Sequence, residues 1–263
     1  MRRALLIVFV LALVIGGLVL VSSTGNGSRQ DVSVLDDFSG PAGSAPNPSL
    51  WKFDVGGGGW GNKEIQRYTD DRTNASLNGA GQLVISARNS GAEFTSARLT
   101  TKGTFAFTYG TLDARIRMPA GAGLHPAFWL LGTDIDSVGY PASGEIDVAE
   151  SVNAGTSWHT AVHGPTQAGT HWQLNNEGAL SPSLSGYHVY GVHREPDQIT
   201  ISIDGTVVST YSRGQLDREA RWVFDQPMYV LLNLAVGGSW PGPPNAATPD
   251  PALMLVDWVR YSP

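Results

Sequence analysis

Ile199 to Ser209 reads ITISIDGTVVS, two β-branched runs on either side of Asp204-Gly205. Apolar residues at every second position suit a strand with one buried face, and an Asp-Gly pair suits the backbone of a tight two-residue turn. The stretch predicts an antiparallel hairpin. Working outward, short alternating runs recur between Gly, Pro, Asn and Asp punctuation: Gln82–Arg88 (QLVISAR), Thr111–Met118 (TLDARIRM), His159–His163, Tyr187–Arg194 and Met228–Val236. Each reads as a strand, while no helical period of useful length and no fixed repeat is present downstream of the N-terminal run. Many short strands with Gly-rich turns and no βαβ alternation predict an all-β, antiparallel sandwich.

Composition narrows the partner. The 263 residues leave room for one sandwich domain over 32–263, and an apolar share of 41% supports one sizeable core. Only 15% of residues are charged, with a net charge of −6. That balance repels nucleic acid and sulfated or carboxylated glycans and favours a neutral polymer. Met1–Ser23 carries Arg2 and Arg3 followed by an apolar run, the order of a secretory signal. Ala4–Val21 is also just long enough for an uncleaved anchor, in which case alone a membrane would be a partner. Residues 24–31 then form a short polar linker. Export is the expectation, and the absence of cysteine rules out a lipidated cysteine or a disulfide framework.

Two segments invite chemistry. Gly56–Gly59 precedes Trp60 but lacks the Gly-Lys-Ser/Thr ending and following helix of a phosphate loop, so it reads as a binding loop. Gly144–Ser151 reads GEIDVAES. In a regular strand Glu145 and Asp147 share one face, and Glu150 falls on the other, where an unpaired carboxylate is costly. One extra residue, a β-bulge around Val148 and Ala149, returns Glu150 to the acidic face. Two glutamates then approach the separation of about 5 to 5.5 Å that a retaining glycosidase uses, and crowding holds a proton on the row. A solvated acidic strand or a metal-binding row are the competing readings.

The acidic strand, preceded by PAFWLLG at Pro126–Gly132, resembles glycoside hydrolase family 16, and its spacing is similar to the laminarinase branch, the endo-1,3-β-glucanases. The resemblance extends over GGWGNKEIQRYTDD (Gly58–Asp71), SARLTTKGTFAFTYGTLDARIRMP (Ser96–Pro119), VHGP (Val162–Pro165), YHVYGVHREPDQITISIDG (Tyr187–Gly205) and LNLAVGGSWPGPP (Leu232–Pro244). It implies a concanavalin A-like jelly roll with a concave substrate groove, and retaining endo-hydrolysis of 1,3-β or mixed 1,3/1,4 linkages in a neutral β-glucan. Glu145 would be the nucleophile, Asp147 would hydrogen-bond to and orient it, and Glu150 would be the acid/base.

Binding roles follow by the same resemblance. Trp129 would floor the cleavage position by stacking. Trp60 and Trp240 would be further sugar platforms, and Asn62 and Arg98 would hydrogen-bond hydroxyls, Arg98 having the alternative of pairing with an acid. His163 would reach the leaving-group side near Glu150. His125 departs from the family, which usually carries Trp immediately before PAFW; it would exchange a platform for a hydrogen-bond donor. Asp37 and Asp257 match the places of a structural calcium, while catalysis needs no cofactor. A monomer is expected. A non-catalytic carbohydrate-binding module, a transglycosylase and a galactan hydrolase are the alternatives on this scaffold.

Overall fold

The computed structural model describes residues 33–179 and 186–263. The expected leader, the whole linker and residue 32 lie outside the described residues, and no helix among the described residues is long and apolar enough to cross a membrane. Among the described residues seventeen strands carry the fold. They are β1 (Ser33–Asp36), β2 (Lys52–Phe53), β3 (Arg67–Tyr68), β4 (Ala75–Leu77), β5 (Leu83–Asn89), β6 (Phe94–Ser96), β7 (Arg98–Thr100), β8 (Gly110–Arg117) and β9 (Leu124–Gly132). The second half adds β10 (Glu145–Glu150), β11 (Ser157–Pro165), β12 (His171–Ala179), β13 (His188–Glu195), β14 (Gln198–Ile203), β15 (Thr206–Ser212), β16 (Met228–Val236) and β17 (Ala252–Ser262).

One sheet runs β15-β14-β13-β8-β17-β5-β6-β3, with β1 on β17 and β4 on β5; the other runs β12-β11-β10-β9-β16-β7-β2. All these pairs are antiparallel except β3 with β6. The expected hairpin is β14–β15, with Asp204 and Gly205 at φ 50° and 76°. Asp204 accepts the left-handed backbone while its carboxylate takes Val189 N–H at 2.9 Å and His188 Nδ1 at 2.6 Å.

Alternation places the core between the sheets. On β8, Leu112, Ala114 and Ile116 are buried while Thr111, Asp113, Arg115 and Arg117 are partly exposed. On β14, Ile199, Ile201 and Ile203 point inward. Central strand β16 is buried at every position, because its neighbours β9 and β7 flank it and both its faces are covered. Met228, Val230, Leu232, Leu234 and Val236 join the main core. Tyr229 and Leu231 instead pack with Leu131 in a second cluster that Trp129 and Ile135 adjoin. Asn233 is the polar exception on that second face, and it marks the edge of the functional groove.

Candidate active site

Strand β10 lies between β9 and β11, and its register breaks where parity demanded. Against β9, Asp147 pairs with Trp129 and Ala149 with Phe128, so Val148 is the extra residue. Against β11, Asp147 pairs with Ala161 and Glu150 with His159, again one residue in excess on β10. Ile146 and Val148 are fully buried in the sandwich core. Glu145, Asp147 and Glu150 all line one groove of about 730 Å³. The bulge thus brings the third carboxylate to the face of the first two, as the apolar spacing required.

The row is short of compensation, so its protons are held tightly. Burial, then the neighbouring Asp147 charge, push Glu145 up to about 8 despite the opposing pull of His163. Burial and the Glu150 charge push Asp147 up to about 6. For His163, burial works against the imidazolium, but the hydrogen bond to Asp147 and the three acids' charges outweigh it and push it up to about 9. At neutral pH the row therefore carries a shared proton beside a cationic imidazole.

Asp147 Oδ2 accepts Nε2–H of His163 at 2.9 Å, and that nitrogen is 3.8 Å from Glu145 Oε1. One expectation is corrected: His163 does not stand at Glu150. Antiparallel register sets it opposite Glu145, and His159 opposite Glu150. His163 Nδ1 lies 2.8 Å from His171 Nε2, with the two rings stacked at 5.1 Å. Glu145, Asp147 and His163 bring one potential metal-binding atom each within 4.8 Å, although a protonated His163 leaves that set without a nitrogen lone pair on Nε2.

The remaining expected residues divide into two groups. Trp60, Asn62, His125, His163 and Trp240 line the groove with the acids. Trp240 is 42% exposed and is met edge-on by His125 at 5.0 Å and His159 at 4.8 Å, so its ring is braced rather than free. Asn62 is held by backbone: its carbonyl accepts Ser239 N–H at 2.7 Å, an approach that Gly238 permits because a Cβ there would sit 2.9 Å from that oxygen. Trp129 and Arg98 stand beside the groove lining. Trp129 Nε1–H donates to Asn233 Oδ1 at 2.7 Å, and the Arg98 guanidinium covers its ring at 4.6 Å. Arg98 also lies 5.0 Å from the Trp60 ring and donates to Asp54 Oδ2 at 3.0 Å. The acid-pairing alternative for Arg98 is therefore the one observed, and one face of the expected Trp129 platform is taken.

Sequence reasoning missed several groove residues. His159 was available by alternation, since residues 159, 161 and 163 share a strand face. His171, Gln173, Asn175 and Glu177 come from β12, whose run HWQLNNEGA has little β-branched signal. Tyr140 and Asn176 also line the groove.

Residues 60–260 match the model for glycosyl hydrolases family 16. The chain belongs to that family. A β-glucanase of Rhodothermus marinus is 38% identical over 240 residues, covering 85% of this chain and 81% of the relative. The endo-β-1,3-glucanase structure from Pyrococcus furiosus is 39% identical with a TM-score of 0.78, covering 86% of this chain and 92% of that one. The laminarinase catalytic domain of Thermotoga maritima MSB8 is 33% identical with a TM-score of 0.78, covering 88% and 98%. This family 16 chain is a glycoside hydrolase with the jelly-roll sandwich.

Its expected calcium residues are less well arranged. Asp37 is exposed, and its Oδ1 accepts Ser39 N–H at 3.0 Å. Asp257 gives Oδ2 to Arg115 at 2.5 Å and Oδ1 to Gln82 Nε2–H at 3.3 Å. Gly81 adjoins the Asp37 carbonyl, so both acids border the Gly81-Gln82 segment. A guanidinium already compensates Asp257, and a calcium ion needs six to eight oxygens. As arranged, with Arg115 on Asp257, the two acids offer fewer oxygens than that.

Proposed function

We propose that this family 16 hydrolase cuts internal 1,3-β-glucosidic bonds of neutral β-glucans with retention of configuration. The observation that carries the reading is the single-residue bulge in β10, which puts Glu145 and Glu150 in one groove with Asp147 between them. The endo-1,3-glucanase relatives support the linkage, and a polar, net-negative protein suits a neutral polymer.

In the proposed cycle Glu150 gives its proton to the glycosidic oxygen, the bond from that oxygen to the anomeric carbon breaks, and a Glu145 oxygen bonds to the carbon. Water then yields a proton to Glu150, its oxygen bonds to the anomeric carbon, and Glu145 leaves as carboxylate. The cycle needs one proton on the row, on Glu150 when Glu145 attacks. The crowded row retains a proton at neutral pH, and the positive charge that develops on the sugar favours Glu145 as the ionised member. His163, hydrogen-bonded to Asp147 and near Glu145, holds that side of the row in place.

Laminarin, lichenan, carboxymethylcellulose and agarose form the test panel. Laminarin should be cut to oligosaccharides whose first-formed reducing ends are β by proton NMR, and Glu145→Ala and Glu150→Ala should each lower kcat by about a thousandfold or more with the fold intact. Preference for lichenan would move the proposal to mixed linkages, and cleavage of agarose alone would replace glucan by galactan. An initial α-anomer, or a variant near wild-type turnover, would overturn the mechanism.

We also propose export of the chain and action as a monomer, testable by fractionation and light scattering. Calcium at Asp37 and Asp257 enters only as a site that forms if Asp257 exchanges Arg115 for the ion. Added calcium raising Tm in the wild type but not in Asp257→Asn supports it; no change in the wild type removes it.

A further inference from the structure

Glu150 has its own histidine. His125 Nε2 lies 2.7 Å from Glu150 Oε1, with the two side chains 8% and 16% exposed. The other ring nitrogen, Nδ1, is buried without a partner, so no second hydrogen bond fixes where the ring keeps its proton. Trp240 packs edge-on against the ring and is braced behind by His159, which sets the ring's position without setting its charge. The charged groups facing His125 are Glu150 and Asp147 from β10 and Glu64 from the segment before β3, with His159 of β11 beyond Trp240. Burial disfavours the imidazolium, yet the hydrogen bond and charge of Glu150, with the charges of Glu64 and Asp147, together outweigh it and hold the His125 pKa above its ordinary value.

We propose that His125 and Glu150 form a dyad sharing one mobile proton, in which His125 acts through Glu150 as a positioning and proton-holding residue. The inference rests on Glu150 being the acid/base. As Glu150 protonates the leaving oxygen, the dyad loses its proton from Nε2 through Oε1, leaving a neutral imidazole and a carboxylate. The Nε2 lone pair then faces that carboxylate, placed to share the next proton it takes. When water adds to the anomeric carbon, Glu150 takes the water proton and shares it with Nε2 again, so one turnover restores the starting state. The dyad keeps its proton to higher pH than a lone carboxylate does, which extends activity upward in pH.

His125→Gln tests this, because it keeps a donor and removes the titration. On laminarin the basic limb of kcat/KM should move down by about one pH unit or more, the direction expected when an imidazolium store is lost. The basic limb of the nitrophenolate burst from an aryl β-glycoside should move less than that of laminarin, since that leaving group needs no proton. A uniform loss at every pH, or an unmoved basic limb, would overturn the dyad. Without substrate, NMR titration of the His125 ring gives a second measurement. Glu150→Gln should lower the His125 pKa by about one unit or more, and an unchanged value contradicts the proposal. A wild type inert on laminarin would sink the glucanase reading, while the ring titration would still decide the dyad.

Discussion

Glu145→Gln should stabilise the protein, and only at alkaline pH. The fold prefers Glu145 protonated, because burial and the Asp147 charge penalise its carboxylate. A pKa raised on folding means stability that is full below the unfolded value and is lost as pH rises through the folded one. Here that window runs from the ordinary 4.5 to about 8. Ionising across the whole window costs the fold at most roughly 5 kcal/mol, at about 1.4 kcal/mol per pH unit. The side chain is 19% exposed and its proton is shared along the row, so about 1–2 kcal/mol is the working figure. A neutral glutamine of the same shape recovers it at pH 9 and almost none at pH 5. For a domain of this size that is a Tm gain of roughly 2–8 °C at pH 9. Differential scanning calorimetry of both proteins at the two pH values measures it. An equal gain at both pH values, or a loss at pH 9, would refute the claim that the row is held against its own repulsion.

Arg98→Ala should weaken both the groove and the fold: it strips the cation between Trp60 and Trp129 and leaves Asp54 unpaired. We expect about 1–3 kcal/mol lost in urea titration and a higher KM; an unchanged KM would make Arg98 purely structural. Phe128→Ala, at a fully buried core position of β9, should cost about 3–5 kcal/mol by the same titration. A loss below about 1 kcal/mol would contradict the assignment of that side chain to the sandwich core.

The bulge was legible in the sequence because an odd spacing between two glutamates conflicts with the period of a strand whose other face is Ile146 and Val148. The β14–β15 hairpin was legible because Asp204-Gly205 has few other backbone uses. Met228–Val236 emerged with the same bounds as β16. Register was the limit. Nothing local tells which residue of β11 faces which residue of β10, and so His163 was set beside the wrong glutamate. Edge strand β12 was not legible, since a polar run pairing on one side only needs little β propensity. The partner of His125 lies 25 residues away across the β9–β10 pair, and its hydrogen bond depends on where the bulge turns Glu150. Arg194, buried with its guanidinium on the carbonyls of Phe107, Phe224 and Gln226, was equally invisible, because those acceptors come from distant loops.

Which carboxylate bonds to the sugar is the question on which everything else turns. Incubation with a 2-deoxy-2-fluoro laminaribiosyl fluoride should trap the glycosyl-enzyme, and mass spectrometry of the peptide spanning Gly144–Ser151 should place the adduct on Glu145. An adduct on Glu150, or no adduct from an enzyme that still cleaves laminarin, would contradict the account.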